Sequence, residues 1–129
     1  MTEHDPVVYL MHMRDYALEV ISFIEGRRRE DLDSDTQFAF AIRYGVGMLG
    51  EAASKVPRGV QADLPEIDWS AIIGMRHRLI HGYETVNYDI VWDAVQNDLP
   101  DLIERLDVLI EDLGSQTDES PRGDDDDSA

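Results

Sequence analysis

Between Gly74 and Tyr83 the chain reads Gly-Met-Arg-His-Arg-Leu-Ile-His-Gly-Tyr, which places Arg76, His77, Arg78 and His81 within six residues. The protein has only 11 Lys and Arg against 28 Asp and Glu, and only four histidines. Four of those scarce groups in one short stretch make a local positive spot in a negative field. Such a spot suits one phosphate gripped at close range better than a long nucleic-acid track. An arginine and a histidine together can cleave RNA without a metal ion. A histidine, whose ordinary pKa of ~6.5 lies near working pH, moves a proton at the ribose 2′-hydroxyl or at the leaving oxygen. The arginine grips the phosphate in a fork and stabilises the charge that builds on its oxygens.

The spacing sets a problem. At 100° per residue, Arg76 and His81 are five apart and so roughly 140° around a helix. They converge only if the Arg76 side chain swings round, the last turn near Gly82 is distorted, or a second chain completes the site. His77 and His81, at i and i+4, share a face. That is also a metal-ligand spacing, but no third ligand lies near them in sequence, His4 and His12 being at the N-terminal end. The bland alternative gives Arg76 and Arg78 surface carboxylates as partners and makes His81 a helix-end residue.

The elements that must position these groups read as helices throughout. From Pro6 to Glu25, Leu10, Met13, Ala17, Val20, Ile21 and Ile24 recur at three- and four-residue spacing. Asp5 is the expected cap, Pro6 suits the first turn, and Gly26 with Arg27–Arg29 marks the end. A second helix is predicted from Ser34 to Val56, with Phe38, Ala41, Ile42, Gly45, Met48, Leu49, Ala52 and Val56 on its apolar face. Its glycines at 45, 47 and 50 each cost about 1 kcal/mol of helix propensity, which points to close helix–helix approach. Glu51 in that helix is expected to pair with an arginine, Arg43 being the candidate. Residues 58–68 read as a loop. Asp68 caps a third helix from Trp69 to about Gly82, with Ile72, Met75 and Leu79 facing the core. A fourth starts near Tyr88 and buries Ile90, Val91, Ala94 and Val95, and Pro100 kinks or restarts it before Leu102, Ile103, Leu106, Leu109, Ile110 and Leu113 continue the stripe. Trp69 and Trp92 are expected as core or interface anchors. The prediction is an all-α, up-and-down bundle of four to five helices.

Length and composition bound the rest. With 129 residues, 43% of them apolar, the chain makes one domain with a real core. No cysteine is present, which excludes disulfide scaffolds, zinc ribbons, thiol nucleophiles and iron–sulfur clusters. No apolar run is long enough to span a membrane, and residues 1–6 lack the layout of a signal peptide, so a cytoplasmic location is expected. The formal charge of −17, carried with Lys55 as the sole lysine, disfavours broad electrostatic binding of nucleic acid and resembles surfaces adapted to molar salt. Residues 114–129 hold no large apolar residue and carry Asp118, Glu119 and Asp124–Asp127 against Arg122; they read as an acidic, disordered tail beyond a folded body of residues 1–113.

Taken in order, Gly50-Glu51-Ala52-Ala53, Pro65-Glu66-Ile67-Asp68-Trp69, Ile72-Ile73-Gly74-Met75-Arg76, Leu79-Ile80-His81-Gly82-Tyr83, Val86, Asp89-Ile90-Val91-Trp92 and Asp98-Leu99-Pro100 resemble the HepT family of HEPN-domain proteins. The resemblance covers about residues 8–112 and centres on Arg-X4-His-X-Tyr, met here by Arg76, His81 and Tyr83. It implies a helical HEPN bundle acting as a two-fold homodimer, with the motifs of both chains facing each other. It also implies a metal-independent endoribonuclease toxin of a toxin–antitoxin module, needing no cofactor. The implied antitoxin is a minimal nucleotidyltransferase that silences the toxin by transferring AMP to the motif tyrosine, here Tyr83. Arg76 and His81 are then the catalytic pair, with His77 and Arg78 as auxiliaries. His77 stands where the family often has Asn, and Gly47 where it often has an acidic residue. A second reading, favoured by the acidity, is a non-catalytic HEPN subunit that docks a nucleotidyltransferase.

Overall fold

A computed structural model describes the backbone of residues 5–81 and 86–128, with side chains to Gly114. The described residues form α1 (Pro6–Ile24), α2 (Asp31–Ser34), α3 (Thr36–Ser54), α4 (Arg58–Asp63), α5 (Trp69–His81), α6 (Tyr88–Asp93), a π-helical turn (Ala94–Asp98) and α7 (Leu99–Ser128). No strand occurs among them. Three rods, α1, α3 and α5, and a fourth made of α6, the π turn and α7 build the predicted all-α, up-and-down bundle; α2 and α4 are short connectors.

Most helix ends follow the expected chemistry. Asp5 accepts the Val7 N–H at 3.0 Å, and Gly26, at φ +74°, takes the left-handed conformation that ends α1. The predicted second helix starts at Thr36 rather than Ser34: the Asp35 carboxylate accepts the Phe38 N–H at 3.1 Å and caps α3, and Ser34 instead ends the separate short α2. Residues 58–63, expected as loop, are the short helix α4. Gln61 explains it, its amide donating to the carbonyl of Val56 at 2.9 Å and so satisfying an orphan oxygen past the end of α3. Pro100 acts as expected but two residues upstream of its own position. Lacking an N–H and crowding the carbonyl of Gln96, it shifts the ladder, and Leu99 N–H bonds Ala94 O in the i→i−5 pattern.

The core is where the stripes intersect. Leu10, Met13, Ala17 and Val20 of α1, Ile42 and Leu49 of α3, Val91, Val95 and Leu106 are all buried. Two expectations are corrected. Ile90 is half exposed, because α6 turns Val91 inward and leaves its neighbour outside. Helix α3 buries Ala39, Val46 and Ala53 in addition to the predicted face, since it lies between α1 and α5 and needs two apolar sides. The backbone of α7 continues as helix to Ser128, beyond Leu113, where the sequence reading ends the folded body. No helix of the described residues is long and apolar enough to cross a membrane.

The Arg27–Arg29 run is a clamp. Arg27 donates to Asp31 at 3.3 Å and to Asp35 at 2.7 Å and lies 4.0 Å over the Phe38 ring, while Arg29 reaches Asp33 at 3.0 Å and Asp89 of α6 at 2.6 Å. The Arg28 N–H, then Arg27, hold the Asp31 carboxyl below its ordinary range; the Phe38 N–H, then Arg27, do the same for Asp35. Carboxyls lowered in the folded state contribute stability above about pH 3.9 and lose it as the pH falls below that value. Asp35→Asn is therefore expected to flatten the acid limb of a melting-temperature-versus-pH curve while leaving a lower plateau at pH 7, where the parent's ion pair and cap are intact.

Candidate active site

Helix α5 carries the Arg/His stretch and is seated by its two ends. At the start, Asp68 accepts the Ala71 N–H at 3.2 Å and buried Trp69 donates its indole N–H to Leu64 O at 3.0 Å, confirming Trp69 as a core anchor. Near the end, Leu79 is buried and its carbonyl accepts from Arg43 at 3.4 Å. Trp92 is partly buried against the core.

Gly50 sets how closely α5 approaches α3. A Cβ there overlaps the Cβ of Arg76 and lies 3.0 Å from the Ile72 carbonyl. Gly45 plays the same part against α1, where a Cβ comes to 2.5 Å of Val20 Cγ2, but Gly47 has nothing within 4 Å. Close approach thus accounts for two of the three glycines. Gly50→Ala must push α5 off α3 and is expected to cost about 1–3 kcal/mol. Gly47→Ala should add about 0.5–1 kcal/mol by removing backbone entropy from the unfolded chain. Paired denaturant melts check both signs.

With the helices this close, Arg76 lies along α3 and its Nε comes 2.8 Å from Glu51 Oε1, each side chain being about one-third exposed or less. Lys55 stands 3.5 Å from the other carboxylate oxygen. The sequence expectation that Glu51 pairs with Arg43 is thus corrected: Arg43 lies more than two turns away along α3 and reaches the Leu79 carbonyl instead. The buried Nε is close to the carboxylate but is not aimed at it, so the contact is an ion pair without a formed hydrogen bond.

The histidines form a separate group. His77 and His81 are exposed, with ring centroids 4.6 Å apart and planes tilted by 43°, as their i,i+4 spacing requires. Arg78 is exposed beside them. Among the described residues no cluster of three His, Asp or Glu is placed to hold a metal ion. The structure therefore brings His77 to His81 and Arg76 to Glu51. Arg76 is directed at α3 while the two rings meet solvent, so the angular separation read from the sequence persists in the single chain. Tyr83 and His4 lie outside the described residues.

Sequence reasoning missed two features. One is Glu51 as the partner of Arg76. The other is an apolar surface: Phe40 and Tyr44 are 62% and 66% exposed on α3, flanking Arg43, and Ile80 is 50% exposed beside the carbonyl that Arg43 approaches. Two aromatics at i and i+4 on the outer side of a glycine-rich helix were the available signal.

An all-helical bundle with an arginine held against a neighbouring helix and a histidine pair at the end of the same helix defines the class. The sequence pattern of the family described as Ribonuclease HepT-like matches residues 13–109, and the chain belongs to that family. A "Putative RNase" of Methanocaldococcus jannaschii is 25% identical over 120 residues, covering 93% of this chain and 99% of that one. A "Putative RNase" of Caldanaerobacter subterraneus subsp. tengcongensis is 28% identical over 82% of this chain and 95% of its own length. A "Probable ribonuclease HepT" of Thermococcus cleftensis is 34% identical over 70% of this chain and 86% of its own. No solved structure matches the chain.

Proposed function

We propose that the protein is a metal-independent endoribonuclease whose active site is completed across a homodimer, and that it serves as the toxin of a toxin–antitoxin module. The observation that carries this reading is the family match over residues 13–109, which contains Arg76 and His81 on one short helix. In the proposed reaction, His81 takes the proton of a ribose 2′-hydroxyl. The 2′-oxygen then bonds to phosphorus and the bond from phosphorus to the 5′-oxygen breaks, that oxygen receiving a proton as it leaves. The products are a 2′,3′-cyclic phosphate and a 5′-hydroxyl. Arg76 stabilises the charge on the non-bridging oxygens through its Nη edge, because Glu51 faces Nε. His77 and Arg78, both exposed, serve as auxiliaries in this reading, contacting the neighbouring phosphate or hydroxyl.

Dimerisation answers the angular separation of Arg76 and His81, and the exposed Phe40, Tyr44 and Ile80 supply apolar surface for it. In this reading residues 1–113 are the HEPN domain and 114–129 an acidic appendage. The partner is a minimal nucleotidyltransferase antitoxin that inhibits by complex formation, by AMP transfer to the Tyr83 hydroxyl, or by both. The net charge of −17 favours the second reading, a silent subunit that docks a nucleotidyltransferase.

The deciding experiment is RNA cleavage by the purified chain alone, with EDTA, at low and at molar salt. Cleavage is expected in EDTA, and to rise with salt as repulsion between the acidic surface and RNA is screened to ~3 Å at 1 M. No cleavage by a folded, unmodified dimer favours the docking subunit. Tyr83→Phe is expected to keep cleavage and to gain no AMP mass when incubated with the partner and ATP. An AMP adduct on that variant by mass spectrometry assigns the acceptor elsewhere.

A further inference from the structure

Helix α5 leans on α3, and α7 leans on α1, so a cleft opens between α5 and the fourth rod. It holds a cavity of about 290 Å³, walled by Leu49, Ile72, Met75 and Val95. That is just under the roughly 300–1,000 Å³ of small-molecule pockets, room for one or two anchoring side chains. Its mouth carries the exposed carboxylates of Glu66, Asp98 and Asp101. Arg105, the one cation there, is tied to the Glu66 carbonyl at 2.8 Å. The π turn contributes Ala94, Val95 and Asp98 to the lining, and π turns inside helices occur frequently at functional sites.

We propose that this cleft is a docking site for a basic amphipathic segment of another protein, one that inserts apolar side chains between α5 and the π turn and sets Lys or Arg against the acidic mouth. The inference does not rest on the ribonuclease reading. Charge selects the occupant. A second copy of this chain brings further acid, and in its basic Arg27–Arg29 run the side chains of Arg27 and Arg29 are already committed to Asp31, Asp33, Asp35 and Asp89, which leaves Arg28 alone against three carboxylates. A nucleic acid is repelled by the same carboxylates. An apolar cavity with an acidic mouth fits alternating apolar and cationic side chains, as a helix presents at i, i+3 and i+4.

The probe is a fluorescein-labelled synthetic peptide with leucines at helical spacing among lysines and arginines, titrated with the full chain by anisotropy at physiological salt. A scrambled peptide of equal composition controls for attraction to the acidic surface at large. Ala71→Phe fills the cleft from α5 and Ala94→Leu fills it from the π turn, neither altering charge. The patterned peptide should bind the parent at least roughly tenfold more tightly than the scrambled one, and both filled variants should lose that margin. Asp98→Asn with Asp101→Asn should weaken binding of the patterned peptide. If one filled variant fails to fold, as read by circular dichroism, the other decides. Equal binding of both peptides, no binding of the patterned one, or unchanged binding by a folded filled variant overturns the proposal. So does a parent dimer that Ala71→Phe converts to monomer, which assigns the cleft to a second copy.

Discussion

His81→Ala is expected to lose RNA cleavage in EDTA by ~10²–10⁴-fold while keeping the parent's helical signal and melting temperature. The expectation of an unchanged fold comes from exposure: the His81 ring meets solvent and His77, and surface changes of this kind usually shift stability by no more than about 0.5 kcal/mol. Arg76→Ala should lose a comparable factor, as removal of a preorganised charge facing the phosphate does, but with a structural side effect. It leaves Glu51 on α3 with Lys55 at 3.5 Å as its described ion-pair partner. His81→Ala is therefore the cleaner variant, and Arg76→Lys is the informative companion. Lysine keeps the charge but loses the planar fork, so a surviving defect in Arg76→Lys identifies geometry rather than charge as what the reaction needs. Undiminished cleavage by His81→Ala, with His77 still present, directs attention to His77; undiminished cleavage by the double alanine variant removes histidine chemistry from the account.

Much of this arrangement was legible in the sequence because it is written in local chemistry. Asp5, Pro6, Gly26 and Asp68 each act within a turn of their own position, so helix ends could be placed from residue types alone. The apolar spacing of Leu10, Met13, Ala17 and Val20 likewise fixed which face of the first helix is buried. What escaped depends on two segments at once. Nothing in the sequence near Glu51 says that Arg76, twenty-five residues on, is the cation that reaches it; the seating of α5 on α3 decides that, and Gly50 permits the close approach. Residues 58–63 looked like loop because Gly59 and Pro65 break the pattern, whereas the helical turn is held by Gln61 reaching back to Val56, a contact that periodicity does not record. The sequence places Ile90 inward with Val91 because β-branched neighbours cannot be told apart by spacing when the helix has only six residues. At the site itself, residue types and their separation around the helix were legible, but the division into Arg76 with Glu51 and His77 with His81 was not.

That division leads to the last expected result. If each active site takes its arginine from one protomer and its histidine from the other, a homodimer of Arg76→Ala has two dead sites, and so does a homodimer of His81→Ala. A heterodimer of the two has one site lacking both groups and one site wholly intact, so a doubly tagged, purified heterodimer is expected to regain about half of the parent's activity, as two-fold symmetry requires. If Arg76 and His81 instead act within one chain, both sites of the heterodimer stay crippled and nothing is regained. The geometry favours recovery: Arg76 is committed to α3 through Glu51 while His81 meets solvent with His77, and rearranging one chain to unite them requires giving up the ion pair at 2.8 Å. Tyr44→Glu, which places a charge in the exposed aromatic surface, gives an independent check, because it alters neither Arg76 nor His81. A composite site predicts that this variant loses mass in light scattering and cleavage in parallel, and that high protein concentration restores both together.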